Sequence, residues 1–347
     1  MAARCLSHTM IGILVLSLGG LSVAEDASVP SVGLPYTAFG YQEAEGGVVD
    51  EAEPAEPSTP SPTAQASTER WFDGETPWKG FVTGLRDGFE TFPRPIGSPI
   101  YFEDPFINSD LRPVVLYNEF PNGSVAGGGD LVVLACQARL ALTERLQFFA
   151  NIDGWADLEA KNLPEGEGYN NLGLGLKYAL LVDRENLGIV SAGVGWRPSN
   201  GSREVLQGIE DEIFLFVSGA RAWDRFHLIG NVTGRLTTHS EQGNDSLSWN
   251  VNASYELFED FFPLIEYHGF LYLSNGSRIA SRDGLLDYGN LGASDVRGSS
   301  AHWGTVGFRW NFIPHVSWGF GYGFALRSTS NNDILDRRVT MNLIFTY

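Results

Sequence analysis

The feature that most constrains this chain is a two-residue alternation of apolar and polar side chains, which recurs from about residue 112 to residue 347. Successive side chains of a β-strand point to opposite faces, so each alternating segment is a strand with one apolar and one polar face. The pattern predicts about twelve strands, at 112–120, 131–143, 145–156, 170–182, 187–198, 211–223, 225–237, 246–258, 260–274, 301–313, 315–328 and 339–347.

The connections between these strands alternate strictly in length. Tight turns are predicted at 143–145, 183–186, 223–225, 258–260 and 313–315. Long polar connections are predicted at 121–130, 157–169, 199–210, 238–245, 275–300 and 329–337. This alternation is typical of outer-membrane barrels, in which short turns are periplasmic and long loops are extracellular. An even number of strands then leaves both ends of the barrel on the periplasmic side.

The polar faces of the strands decide between a soluble and a membrane barrel. A soluble β-sandwich or lipocalin-like barrel turns its large apolar residues inward to fill a core. Here the polar faces carry many Gly, Ser, Asn and Thr residues, while Leu, Trp, Phe and Tyr occupy the apolar faces. Hydrophobic residues make up 43% and charged residues 19% of the chain, which fits strands that expose every second residue to lipid. An open sheet cannot lie in lipid with unpaired backbone. We therefore expect an all-β fold, a transmembrane antiparallel up-and-down β-barrel.

The last strand carries the resemblance to a known class. Its alternate residues are apolar and end on an aromatic: Val339, Met341, Leu343, Phe345 and Tyr347. This pattern resembles the C-terminal strand of bacterial outer-membrane barrels, and it implies an assembly signal for the barrel-assembly machinery. The whole chain resembles twelve-stranded outer-membrane barrels. Within that class it is similar to the transport barrels linked to MetA-type phenol degradation, although no family-specific motif carries this narrower likeness. The resemblance implies a protein in outer-membrane lipid, with periplasmic N- and C-termini.

The N-terminal part is predicted to lie outside the barrel strands. Residues 1–24 are typical of a signal peptide, with a short apolar run before small residues. Residues 25–70 are rich in Pro, Ala and Glu, carry a net charge of −8, and should form a disordered linker. Residues 71–111 predict a short helix or plug, which we expect at the periplasmic mouth of a barrel spanning 112–347. The net charge of −19 argues against nucleic acid as a partner.

Charged residues on the polar faces are the candidate functional residues. Near the periplasmic end the alternation places Arg139, Lys177, Arg309, Glu256 and Glu266. His268 shares a face with Glu266, where a hydrogen bond in the lumen is favoured over an acid–base pair. Near the outer end it places Arg197, Arg235, Arg327 and Asp153. Cations outnumber anions, and a ring of Arg and Lys in a narrow pore favours anions. Two interpretations remain open: an anion-selective pore, or a closed network in which buried charges pair.

Enzymatic and metal-binding functions have weaker support. The stretch Tyr272-Leu273-Ser274-Asn275-Gly276 resembles the His-x-Ser-Asn-Gly motif of the outer-membrane phospholipase, but Tyr272 replaces the histidine base that activates the serine. The acidic loop residues could hold divalent cations, although a solvated loop is the better interpretation: Glu165, Glu167, Glu204, Glu210, Asp211 and Glu212. Cys136 is the one cysteine that follows the predicted signal peptide, so we expect neither a disulfide framework nor a metal-type cysteine pair. We expect no catalytic residue, no cofactor and no metal.

The sequence thus favours a channel or transporter for a small polar solute. A closed structural or envelope-tethering barrel is the alternative, and a lipid hydrolase is the least favoured.

Overall fold

A computed structural model describes residues 79–86, 88–89, 92–239, 241–285, 287–326 and 335–347. The predicted signal peptide, the predicted linker and Trp78 lie outside these ranges. The strands are β1 (Asp110–Glu119), β2 (Gly129–Ala141), β3 (Leu146–Ala160), β4 (Gly166–Tyr169), β5 (Gly173–Asp183), β6 (Gly188–Arg197), β7 (Glu212–Trp223), β8 (Phe226–Thr237), β9 (Ser246–Tyr255), β10 (Phe261–Tyr272), β11 (Ser300–Ile313), β12 (Val316–Ala325) and β13 (Arg337–Thr346). A single-turn 3-10 helix covers Arg203–Val205.

The strands form one closed antiparallel barrel. Apart from β4 and β5, neighbours in sequence pair with one another, and β1 also pairs with β13, which closes the sheet. The short strand β4 pairs with one half of β3, and β5 pairs with the other half. Together β4 and β5 therefore take the place of one strand, and the barrel has twelve. The predicted fold class is confirmed. Within the described ranges, no helix is long and apolar enough to cross a bilayer.

The lengths of most connections agree with the prediction. The turns at 142–145, 184–187, 224–225, 256–260 and 314–315 are short, and the connections at 120–128, 198–211, 238–245, 273–299 and 326–336 are longer. The predicted long connection at 157–169 is wrong, because its first four residues belong to β3 and its last four form β4. We call the two ends of the barrel the tight-turn end and the long-loop end. Asp224, Asp260 and His315 have positive φ values of 54°, 60° and 65°. Asp and His are among the non-glycine residues that adopt this conformation most readily, and tight hairpin turns require it.

Strand β7 shows how the closed barrel separates two apolar faces. Ile213, Leu215 and Val217 are 42%, 54% and 52% exposed, whereas Phe214 and Phe216 are buried. From sequence this strand is apolar on both sides. Closure assigns one set to the outer face, which meets lipid in a transmembrane barrel, and the other set to the interior.

A β-bulge between β2 and β3 changes which residues of β3 point into the barrel. Cys136 pairs with Asp153, but Ala138 pairs with Ala150, so one strand carries an extra residue. Gln147 and Phe149 point inward before the bulge, and Ala156, Leu158 and Ala160 are the buried residues beyond it. An extra residue in one strand disrupts the ladder locally, and strict alternation does not predict it.

Candidate functional site: the barrel interior

Residues 92–109, which we call the interior segment, run inside the barrel. The chain reaches the barrel at the tight-turn end, where Val82 N donates to Ala141 O at 2.9 Å. Phe89, Phe92 and Phe106 then pack together in one buried cluster with inward-facing alanines of the wall. The segment returns to the same end at β1.

Polar side chains of the barrel wall donate hydrogen bonds to backbone carbonyl oxygens of the interior segment. Gln137 donates to Pro99 O at 2.7 Å, and Ser218 donates to Glu103 O at 2.5 Å. Further carbonyl oxygens accept from Asn250 (Tyr101 O), Ser191 (Pro105 O) and Gln147 (Asn108 O). A buried backbone carbonyl needs such a partner. The Ser, Asn and Gln residues of the polar faces thus serve to hold this segment.

A compact ionic cluster joins the interior segment to the tight-turn half of the wall. Lys177 Nζ lies 2.9 Å from Glu103 Oε1, and Arg139 Nη2 lies 3.0 Å from Glu103 Oε2. Asp104 pairs with Arg94 at 2.7 Å, and Arg139 also contacts Asp110 at 3.3 Å. All these groups are buried. Buried charges require such partners, and here the segment supplies Glu103, Asp104 and Arg94.

Two further buried cations bind the segment through its carbonyl oxygens. Arg112 Nη2 donates to Pro95 O at 2.6 Å, and Arg309 Nη2 donates to Arg94 O at 3.0 Å. Arg309 also donates to Asn342 Oδ1 at 2.6 Å. Among the described residues, no carboxylate pairs with Arg112 or Arg309. The segment therefore contacts both guanidinium groups through its carbonyl oxygens.

Glu266 and His268 lie side by side on the inner face of β10. The Glu266 carboxylate accepts from Ile96 N at 2.8 Å and from Gly97 N at 2.6 Å. His268 Nε2 lies 3.3 Å from Glu266 Oε2 and 3.2 Å from Thr305 Oγ1, and its ring stacks on Trp303. This pair anchors the backbone of the interior segment.

A second ionic cluster lies toward the long-loop end. Arg235 and Arg197 contact Glu212 Oε2 at 3.0 and 3.5 Å. The Arg235 guanidinium also lies 3.6 Å from the centre of the Tyr101 ring. Arg338 pairs with Asp287 of the connection between β10 and β11.

That connection, residues 273–299, covers the long-loop end, and we call it the cap. Leu285, Tyr288 and Leu291 of the cap are buried against Val205 and Leu206. Burial raises the pKa of Tyr288, and the Tyr288 hydroxyl donates to Asn170 Oδ1 at 3.1 Å. The cap and the interior segment together fill the barrel. The cavity between them has a volume of only about 30 Å³, which is room for about two waters.

The structure places most of the sequence-predicted charges in the interior. Buried there are Arg139, Lys177, Arg197, Arg235, Arg309, Glu266 and His268. Glu256 is half-buried at a tight turn. Arg327 and the side chain of Asp153 lie outside the described residues. Reasoning from sequence missed other buried charges: Arg94, Glu103, Asp104, Asp110, Arg112, Glu212, Asp287 and Arg338.

The interpretation of the acidic loop residues as solvated is wrong for two of them. Glu210 and Glu212 are buried, because Glu212 begins β7 on its inner face and meets Arg235, while Glu210 accepts from Thr238 and His239. The burial of Glu212 could have been predicted from sequence, because it lies two, four and six residues before Phe214, Phe216 and Ser218 and so shares their face of β7. Among the described residues, no group of three or more His, Cys, Asp or Glu residues could hold a metal ion.

The Ser274 region takes part in loop structure. Ser274 Oγ accepts from Asp245 N at 2.8 Å, and Asn275 Oδ1 accepts from Val296 N and Arg297 N. Tyr272 is buried, and its hydroxyl accepts from Gly284 N at 3.2 Å. These contacts anchor the cap to β9 and β10.

Comparison with solved structures gives the same architecture. An outer membrane channel from Pseudomonas putida F1 aligns over 74% of this chain and 100% of its own, with a TM-score of 0.54 and 12% identity. This likeness shows that the two chains share a fold. The NanC and KdgM porins align over 69% of this chain and 100% and 99% of their own, with TM-scores of 0.45 and 0.41 and 9% and 8% identity. No protein-family model matches the sequence, and no curated protein matches it.

Proposed function

We propose that this protein is an outer-membrane channel for a small hydrophilic anion, and that the interior segment holds it closed in this structure. The single observation that carries the proposal is the pairing of Glu103 and Asp104 with the wall cations Arg139 and Lys177. If the segment moves out, these cations lose their partners and face an aqueous lumen. Rings of Lys and Arg favour anions in a narrow pore.

The charge of the wall supports the choice of an anion. Seven buried cations lie on the described strands: Arg112, Arg139, Lys177, Arg197, Arg235, Arg309 and Arg338. Three buried carboxylates lie on them: Asp110, Glu212 and Glu266. The wall alone is therefore cationic, although the whole chain is acidic. In this proposal the tight-turn end, with the end of β13 and the start of β1, is periplasmic, as in other outer-membrane barrels.

The test is conductance of the full chain and of a segment-deleted variant in planar bilayers. Residues 92–106 are replaced by a short Gly-Ser linker, which the return of the segment to its starting end permits. We expect low conductance from the full chain, and a larger anion-selective conductance from the variant. Glu103→Gln/Asp104→Asn should open the channel partly. The matched control, Glu165→Gln/Glu204→Gln, removes two exposed loop carboxylates and should change little.

A closed structural or envelope-tethering barrel is the second candidate, and the cavity of about 30 Å³ favours it. The deletion variant could remain a folded barrel that resists heat and denaturant and still show no conductance. That result would support the closed structural barrel. If an open variant conducts cations better than anions, the proposal that the solute is an anion is wrong.

A further inference from the structure

The small cavity lies at the meeting point of four parts of the molecule. The tip of the interior segment forms its floor with Pro99 and Ile100, and the cap contributes Asp287 and Tyr288. Strands β1 and β2 contribute four lining residues, strands β3, β5, β6, β7, β8 and β13 contribute one each, and Asn170 and Asn171 come from the connection between β4 and β5. The cavity is separate from the ionic cluster around Glu103 on which the proposed function depends.

One side of the cavity is aliphatic. Val114 and Leu116 of β1 and Leu131 and Val133 of β2 line it, and all four are buried. They occupy inward positions that elsewhere in these strands carry Arg112, Gln137 and Arg139. The switch from polar to aliphatic side chains along the same inner face creates an apolar surface next to the cavity.

Another side of the cavity holds polar atoms without partners. Asn151 Oδ1, Asn170 Nδ2 and Arg235 Nε are buried and form no hydrogen bond in the described part of the protein. Asn151 and Asn170 are 8% exposed and Arg235 is 2% exposed, and all three line this cavity. Leaving a buried donor or acceptor unpaired costs free energy. Two of these atoms, Asn170 Nδ2 and Arg235 Nε, are donors suited to a carboxylate or a similar oxyanion.

The charges around the cavity leave one positive charge in excess. Arg197, Arg235 and Arg338 line it, together with Asp287. Glu212, which contacts Arg197 and Arg235, is the other carboxylate paired with these cations among the described residues. Three cations thus face two carboxylates, and a singly charged anion would balance them.

We propose that this cavity is a binding site for a small amphipathic monoanion, with its apolar body against β1 and β2 and its anionic group at Asn170 and Arg235. Because the present volume admits about two waters, the ligand displaces the side chains of Ile100 or Tyr288 when it binds. The site is reached from the long-loop end by movement of the cap.

The test is calorimetric titration of the full chain in lipid nanodiscs with hexanoate. Hexylammonium and hexan-1-ol have the same apolar body without the negative charge. We expect saturable 1:1 binding of hexanoate, and much weaker binding of the other two probes.

Matched variants locate the binding. Val133→Phe fills the cavity, whereas Leu134→Phe adds the same ring on the outer face, where Leu134 is 48% exposed. Asn170→Asp keeps the size of the side chain and adds a negative charge. Hexanoate affinity should fall by at least about tenfold in Val133→Phe and Asn170→Asp, and stay unchanged in Leu134→Phe.

Three results would overturn the proposal: no saturable binding to the full chain, equal affinity in all variants, or equal affinity for hexan-1-ol. The first would mean that the cavity holds water only. The measurement requires no conductance, so the binding site and the proposed channel can fail independently.

Discussion

Lys177 on β5 and Glu103 on the interior segment form a fully enclosed ion pair, with 2.9 Å between Nζ and Oε1. Seventy-four positions separate them in the chain. The pair links the wall to the segment that runs through the barrel.

We expect Lys177→Met to destabilise the folded barrel by about 3 kcal/mol, because it leaves buried carboxylates with fewer partners. Denaturant unfolding in detergent micelles measures this. The double variant Glu103→Gln/Lys177→Met should lose less than the sum of the two single variants, since neither partner then remains charged and alone. Additive losses would show that the two side chains do not interact.

Gly97→Ala should displace the tip of the interior segment. A Cβ at this position would overlap with Thr305 Oγ1 and lie 2.7 Å from Glu266 Oε2. We expect a loss of about 1–3 kcal/mol in unfolding free energy and faster proteolysis within the segment. Gly234→Ala is the control, because its Cβ would meet no atom within 4 Å. Equal stability of the two variants would count against a tight fit at Gly97.

Tyr347→Asp should reduce the yield of assembled barrel in the outer membrane. Phe345 lies on the outer face of β13 at 43% exposure, Tyr347 directly after the strand is 67% exposed, and Ile344 points inward. A charge at Tyr347 interrupts the apolar series that assembly is proposed to recognise. Tyr347→Phe keeps the ring and should assemble normally. Heat-modifiable migration of membrane extracts compares the variants, and a normal yield of Tyr347→Asp would remove the terminal residue from the signal.

Acid should release the loop between β6 and β7. Asp211 Oδ1 accepts from Ser199 N at 2.7 Å and from Ser199 Oγ at 2.6 Å, and these hydrogen bonds hold the pKa of Asp211 below its usual value. A lowered pKa in the folded state means that the contact is fully present above the ordinary Asp pKa of about 4, and is lost as the pH falls through the lowered value.

Limited digestion with trypsin cannot be used at such low pH. The measurement is therefore amide hydrogen exchange of residues 199–210 between about pH 5 and 2. Asp211→Ala, which removes the acceptor oxygen, should exchange rapidly across this range without a transition. If the natural protein and this variant show the same profile, Asp211 does not hold the loop.

The sequence determined the barrel. A period of two can only place alternate residues on opposite faces of a strand, and the strict alternation of turn lengths fixed an even, closed, antiparallel order. Inward positions such as Lys177, Arg235 and Ile344 followed directly, because each strand residue's face depends only on local geometry. The β-bulge near Cys136 is the exception, since an added residue leaves no signal in composition.

Only the tertiary structure decided what the inward residues meet. Glu103 and Asp104 lie in a Pro-rich stretch without periodicity, so no local rule relates them to Arg139 or Lys177. Asp287 of the cap likewise meets Arg338 only because the closed barrel brings the loop over the start of β13. Contacts between residues far apart in sequence depend on closure and on the path of the segment through the interior. The alternation in sequence therefore predicted the strands of the barrel wall. Which residues fill the barrel could be seen only in the tertiary structure.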